Sequence, residues 1–211
     1  MLTLEKSLKI LKKWKIPIVK TFYSLELKDL EKAFDRMRKP SVLKVYSPDI
    51  IHKTEIGCIY TDIKTKNELR EAYEKILKNV FSFNKNARIE AFLLQEKIDG
   101  IELIIGAKND ENFGKIILFG LGGIYAEIFK DISIRVLPIK EKDVESMIKQ
   151  IKGYKILKGY RGKKFNLEAL KKLILKTAKL FENENIKEID FNPVFLNEKE
   201  ARVVDWKFYG D

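Results

Sequence analysis

The sequence predicts an α+β chain: an antiparallel sheet flanked by helices, with a smaller N-terminal α/β part. Three observations predict it. Apolar runs crowd the middle of the chain: IEAFLLQE (89–96), IELIIGAK (101–108), KIILF (115–119) and GIYAEIF (123–129). The turns between the first three carry Asp99-Gly100 and Asn109-Asp110, chemistry that favours antiparallel pairing. Apolar residues at helical spacing recur before and after this block.

The elements follow in order. Leu4, Leu8 and Leu11 mark one face of a first helix from about Leu4 to Trp14. IPIVK (16–20) reads as a short strand. Leu27, Leu30, Phe34 and Met37 repeat at helical spacing and predict a second helix. VLKVY (42–46) is a strand feeding a loop, and a return strand begins near Ile56. Thr65 and Glu68 have capping-box spacing ahead of the stripe Leu69, Tyr73, Ile76 and Val80. Beyond the strand-rich block, helices are expected at 141–152 and 167–182, the second capped by Asn166. IKEIDFNPVF and ARVVDWKF close the chain as a hairpin around NEKE.

Composition bounds the function. A chain of 211 residues suits one domain or two small lobes. With 45% hydrophobic and 11% aromatic residues it has material for a core, which argues against disorder. No apolar run approaches the roughly 18 residues of a membrane helix. The opening MLTLEKSLKILKKWK lacks the apolar stretch of a signal peptide. The single cysteine, Cys58, excludes an internal disulfide and fits a reducing, cytoplasmic setting. One histidine and one cysteine cannot make the usual zinc site, so a metal here is a hard ion held by oxygen. Net charge +11 favours an anionic partner such as a nucleotide, CoA, an acyl phosphate or a nucleic acid. Interspersed Lys and Glu, with no basic tail, equally describe a thermophilic surface. No linker, low-complexity segment or repeat is visible.

Four segments carry candidate chemistry. In the final hairpin Asp190 and Asn192 are two apart on a strand and share a face. A turn centred between Glu198 and Lys199 puts Asn192 opposite Asp205. Three oxygen-bearing side chains then gather as Mg²⁺ requires, unless Pro193 spoils the register. The same pattern also fits the solvated face of an edge hairpin. In VLKVY, Lys44 sits within an apolar strand, either facing solvent or reaching over a cleft to phosphate. The loop after it, SPDIIHKTEIG (47–57), holds the sole histidine, His52, and ends at Gly57, which permits close backbone approach. Gly120, Gly122 and Gly123 form a G-x-G-G turn that is neither a Walker loop nor a dinucleotide fingerprint. In LLQEKIDGIEL, Glu96 and Glu102 flank a strand–turn–strand, either a nucleotide hinge or an ordinary hairpin.

Taken together, VLKVYSPDIIHKTEIG, the block from QEKIDGIEL to ISIRVLP, and IKEIDFNPV with VVDWKF resemble the ATP-grasp subunit of ADP-forming acyl-CoA synthetases. This is the beta subunit of acetate–CoA ligase (ADP-forming), related to the succinyl-CoA synthetases. The resemblance covers essentially the whole chain. It implies a single ATP-grasp unit over 1–211, with lobes at 20–93 and at 1–19 plus 94–211. It implies that Lys44 contacts nucleotide phosphates, that the backbone near Gln95, Glu96, Lys97 and Ile98 meets adenine, and that Glu102 meets ribose. Gly57 belongs to the loop that closes over the phosphates, and Gly122 and Gly123 to the turn before a strand with Glu127. Asn192 and Asp205, with Asp190 beside them, hold Mg²⁺. Asp131, Arg135 and Arg161 lie in family-like segments without an assigned role. Cys58 stands where the family usually has a second glycine.

The resemblance further implies a reaction and a partner. Acyl-CoA, phosphate and ADP give carboxylate, CoA and ATP, reversibly. A separate alpha subunit, in an α2β2 assembly, binds CoA and delivers a phosphoryl group on histidine. His52 accepts it, and Mg-ADP receives it. Imidazole suits this task because it is nucleophilic near neutral pH and its phosphoramidate transfers readily. Two other readings stay open at this point: a non-catalytic nucleotide-binding regulatory module, and a basic nucleic-acid-binding domain.

Overall fold

A computed structural model of the chain describes residues 1–123, 131–159, 162 and 164–210. It divides into two compact units, one of Thr3–Glu5 with Val19–Ile98 and one of Met1–Leu2, Lys6–Ile18 and Asp99–Asp211.

The Val19–Ile98 unit is a four-stranded antiparallel sheet under two helices. Its elements are β1 (Thr21–Ser24), α2 (Leu27–Asp35), β2 (Ser41–Tyr46), β3 (Ile59–Ile63), α3 (Lys66–Phe83) and β4 (Ala91–Glu96), with strand order β1-β4-β2-β3. Leu43 and Val45 of β2 and Phe92 and Leu94 of β4 join Leu30, Phe34, Leu69, Ile76 and Val80 of the helices in one core. Alternation then turns Lys44 and, across from Val42, Gln95 to the opposite face of the sheet. The expected capping box starts α3: Glu68 N–H donates to Thr65 Oγ1 (3.2 Å) and Thr65 N–H to Glu68 Oε2 (3.1 Å).

Two expectations shift here. IPIVK is not a strand. Only Ile18 bridges Val203, while the neighbouring Pro17 has no N–H and serves only as an acceptor, from Val203 N–H at 2.8 Å. The return strand begins at Ile59 rather than near Ile56, because a closed turn takes up the residues before it. The unit boundary falls after Ile98 rather than after residue 93, because β4 pairs with both β1 and β2 through Glu96.

The other unit contains α1 (Leu4–Lys13), β5 (Ile101–Asp110), β6 (Gly114–Leu121), β7 (Ile132–Val136), α4 (Glu141–Gln150), α5 (Tyr154–Leu157), α6 (Leu167–Asn183), β8 (Glu188–Leu196), β9 (Ala201–Val203) and β10 (Trp206–Tyr209). Its antiparallel sheet has the order β10-β8-β5-β6-β7, with β9 beside β8. Helices α4 and α6 pack on the face that buries Leu103, Ile105, Ile117, Phe119, Ile189 and Phe191. Asn166 caps α6 as its position suggests, accepting from Ala169 N–H at 2.9 Å.

The two strands flanking Asp99-Gly100 do not pair. β4 and β5 belong to different sheets, so this turn links units instead of closing a hairpin. The Asn109-Asp110 turn does close one, between β5 and β6. β7 and the short α5 are additions to the predicted elements, and the expected strand GIYAEIF lies largely outside the described residues. Among the described residues no helix is long and apolar enough to cross a membrane.

Candidate functional site

Lys44 is the first surprise of burial. It is 2% exposed, within a strand whose other faces are packed. A lysine on a solvated face keeps its ammonium in water, so the solvent-facing alternative is excluded. On the neighbouring strand, Gln95 is also buried and donates from Nε2 to Thr21 Oγ1 at 3.0 Å.

The segment after β4 is largely committed to its own unit. Glu96 Oε1 accepts from Lys20 Nζ (2.8 Å) and from Arg38 N–H (3.2 Å). Burial pushes the Glu96 carboxyl up, but these donors and the charges of Lys20 and Arg38 outweigh it and hold the carboxyl below its ordinary value. Glu96 N–H goes to Lys20 O (3.1 Å), Lys97 N–H to Pro40 O (3.2 Å), and Lys97 Nζ to Asp62 (2.6 Å). Among the described residues, Ile98 N–H and C=O take part in no hydrogen bond. The backbone edge available at this hinge is therefore that of Ile98.

The 47–58 loop leaves β2 with Ser47 Oγ accepting from Asp49 N–H (3.1 Å) and Asp49 accepting from Arg88 N–H (2.7 Å). His52 is exposed, with Glu55 Oε1 3.7 Å from its Nδ1. Gly57 has φ +70, and Asn79 Nδ2 donates to its carbonyl at 2.8 Å, so a side chain there meets both strain and a neighbour. Cys58 points away from the loop, into the core of its unit. Burial pushes its thiol up, with Lys53 opposing, as suits an inert thiol. The replacement of the family's second glycine thus fills the core rather than crowding the loop.

In the other unit the structure joins two segments that the sequence left separate. Gly122 N–H donates to Glu102 O at 2.8 Å. A Cβ on Gly122 would lie 3.0 Å from the Glu102 carbonyl carbon, and one on Gly123 2.8 Å from Glu102 Oε2. Gly123 also has φ +59. The glycines therefore let the backbone lie against Glu102, a close approach that any side chain obstructs.

The C-terminal strands keep the predicted register. Val194 pairs with Val203, Leu196 with Ala201, Phe191 with Trp206 and Asp190 with Lys207. Between these ladders Asn192 N–H donates to Asp205 O (3.2 Å), and Pro193 O accepts from Val204 N–H (3.0 Å). Pro193 does not spoil this register because both strands step out together. The irregularity appears against β5 instead, where Leu103 faces Val194 but Ile105 faces Phe191. Such a bulge turns side chains to new directions and recurs beside active sites. Here the buried positions shift from Ile189 and Phe191 to Val194 and Leu196, leaving Asp190 and Asn192 on the outer side.

Asp190 faces Lys207 Nζ at 3.5 Å. Burial pushes the Tyr209 hydroxyl up, and the carboxylates of Asp190, Glu188 and Asp205 add to that effect, which marks the patch as electronegative. Among the described residues no three carboxylate, imidazole or thiol groups converge as a metal cage. The donor set is two carboxylates and a carboxamide, all oxygen, and fits a hard divalent cation that keeps other ligands from water or phosphate.

Asp131 and Arg135 have structural tasks. Asp131 accepts from Lys152 N–H (2.7 Å) and Gly153 N–H (2.6 Å) at the start of α5. Arg135 joins β7 to α4 through Gln150 Oε1 and Ser146 Oγ, both at 2.9 Å. Glu127 and Arg161 lie outside the described residues. Lys53 is the residue that sequence reasoning missed: it is 6% exposed, although its setting between His52 and Thr54 reads as a solvated charge.

Known proteins match this arrangement closely. The ATP-grasp domain model matches residues 1–209. The beta subunit of acetate–CoA ligase (ADP-forming) I from Pyrococcus furiosus is 40% identical over 199 residues, 93% of this chain and 86% of that one. Its isoform II counterpart is 37% identical, covering 90% and 82%. The chain spans only 30% of the length of acetate–CoA ligase (ADP-forming) II from Archaeoglobus fulgidus and 25% of its enzyme I. Among solved structures, the dinucleotide-forming acetyl-coenzyme A synthetase 1 of Ca. Korarchaeum cryptofilum, in complex with coenzyme A and Ca-AMPCP, superposes with TM-score 0.92 at 37% identity, covering 100% of this chain and 93% of that one. Phosphoribosylamine–glycine ligase of Thermotoga maritima, at 13% identity and TM-score 0.56 over 98% of this chain and 47% of that one, shares the fold alone. The chain belongs to the ATP-grasp family and, within it, to the beta subunits of ADP-forming acetate–CoA ligases.

Proposed function

We propose that this chain is the nucleotide-binding subunit of an ADP-forming acetate or acyl–CoA ligase, passing a phosphoryl group from histidine to Mg-ADP. The whole reaction converts acyl-CoA, phosphate and ADP into carboxylate, CoA and ATP. The observation that carries the reading is the pairing of Asn192 with Asp205 across the bulged hairpin, with Asp190 on the same side. The Korarchaeum enzyme has been solved with coenzyme A and Mg-AMPPCP, its phosphohistidine segment pointing towards the nucleotide binding site, which supports the same assignment.

Each residue then has a task. Asn192 and Asp205 hold Mg²⁺, and Asp190 adds negative charge beside them. The bound ion supplies charge neutralisation between phosphates. Lys44 neutralises a phosphate with an ammonium held by its strand. Ile98 offers the adenine edge one donor and one acceptor, and Gln95, Glu96 and Lys97 hold that segment in place. Glu102, its backbone fixed by Gly122 and Gly123, hydrogen-bonds the ribose. Gly57 lets the loop backbone approach the phosphates. His52 accepts the phosphoryl group through a ring nitrogen. A terminal oxygen of ADP then attacks phosphorus, the P–N bond breaks, and the imidazole recovers the electron pair and a proton.

The carrier is a separate alpha subunit, in an α2β2 assembly, in the cytoplasm. Lobes at 20–93 and at 1–19 plus 94–211 supply the two sides of one ATP-grasp unit. The test is reconstitution. The chain with its alpha partner forms ATP from acetyl-CoA, phosphate and ADP, and the chain alone does not. Turnover by the purified chain alone contradicts the two-subunit reading.

A further inference from the structure

The 52–58 turn holds a buried cation with no task in the scheme above. Three backbone hydrogen bonds close this turn: Ile56 N–H to His52 O (3.2 Å), Gly57 N–H to Thr54 O (3.1 Å) and Cys58 N–H to Lys53 O (2.7 Å). Its side chains divide sharply. His52, Thr54 and Glu55 are exposed, while Lys53 is 6% exposed. Among the described lysines only Lys44 and Lys53 are buried. A lysine ordinarily buries its stem and leaves the ammonium in water, and so little exposure does not allow that. Taking an ammonium out of water costs several kcal/mol unless charge or hydrogen bonds offset it. A surface turn has no packing need for such a group.

The surroundings indicate where the charge acts. The Lys53 ammonium is near enough to Cys58 to oppose the effect of burial on its thiol. Cys58 O in turn accepts from Val45 N–H at 3.3 Å, and Val45 follows Lys44 in β2. Two backbone hydrogen bonds therefore link Lys53 to the strand of the other buried lysine. The turn thus holds one cation fixed while its neighbour His52 stays free to move.

We propose that Lys53 is a positioning residue for phosphoryl transfer, whose buried ammonium supplies the fixed counter-charge to the phosphoryl group carried by His52. The inference rests on His52 as the carrier. A phosphoryl group on imidazole is close to a dianion, and a cation shielded from water attracts it far more than one in water.

The test uses the full chain and potassium phosphoramidate, a small phosphoryl donor. A His52 ring nitrogen attacks phosphorus, the P–N bond of the reagent breaks, and ammonia leaves with the proton that the ring gives up. The chain has one histidine, so phosphorus NMR and intact mass report on His52 alone. Replacing the ammonium in Lys53→Met slows charging by roughly tenfold or more, the size of one lost charge-assisted contact. Lys53→Arg keeps the charge and recovers most of the rate, Lys53→Gln behaves as Lys53→Met, and all three bind Mg-ADP as the natural chain does. Charging of Lys53→Met or Lys53→Gln at the natural rate overturns the proposal. So does equal slowing in Lys53→Arg, or slowing that comes with lost Mg-ADP binding, since either marks a scaffold role. If the natural chain takes no phosphate on His52, the carrier reading itself fails before any variant is made.

Discussion

In the 188–209 hairpin, strand pairing runs in one register on both sides of Pro193, and the candidate ligands stand on paired backbone. In the 47–58 loop, pairing stops at Tyr46 and resumes at Ile59, and His52 stands on a turn closed by its own backbone. The first region fixes positions and the second frees one. A metal needs ligands held to a fraction of an ångström, and a shuttled phosphoryl group needs a carrier that moves. The difference teaches that one site can require rigidity and freedom at once, and that the chain assigns them to a ladder and a loop.

The sharpest way to break this comparison is at the free end. His52→Ala removes the only imidazole and lowers ATP formation by roughly a thousandfold or more, as loss of a nucleophile does. Mg-ADP binding and melting temperature stay close to natural values because the side chain is exposed. Steady-state assay of the reconstituted complex reads this directly. The rigid end responds in the opposite way. Phe191 and Phe208 are fully buried with ring centroids 5.7 Å apart, edge to face, beneath Asp190 and Asn192. Phe191→Ala costs about 3–5 kcal/mol of stability, measured by urea denaturation, and weakens nucleotide binding through lost ligand geometry.

The contrast also explains what the sequence made legible. Asn192 opposite Asp205 follows from period-two alternation and a turn position, both local in the chain. The capping box at Thr65 and the Asn166 cap are local in the same sense. The bulge at Pro193 was not legible, because it is a mismatch with β5, a strand some ninety residues away. The segment around Asp99-Gly100 looks like a hairpin turn because its length and composition suit one, and only tertiary pairing sends β4 and β5 to different sheets. Lys53 was hidden for a related reason: burial of a charged side chain depends on what folds over it. Lys44 and His52 acquired roles through resemblance to a family, and the structure adds that one is buried and the other exposed.

A smaller effect sharpens the account of the hinge. The Glu96 carboxyl is held below its ordinary value by Lys20 and the Arg38 N–H, against burial. The folded value is depressed, so the stabilisation is fully present above the ordinary glutamate pKa of about 4.3 and is lost as pH falls through the folded value. Denaturation of the natural chain and of Glu96→Gln, followed from pH 6 downwards, should show a shallower acid loss in the variant, and identical slopes would remove Glu96 from the hinge.

The central claim is that the bulged hairpin holds the metal that holds the nucleotide. The direct measurement is the thermal melt of the purified chain with and without Mg-ADP, beside Asp205→Ala. At 100-fold excess over Kd a ligand adds about 2.7 kcal/mol, roughly 5–10 °C for a chain of this size. The account predicts that shift in the natural chain and most of it lost in Asp205→Ala. An equal shift in both proteins contradicts it.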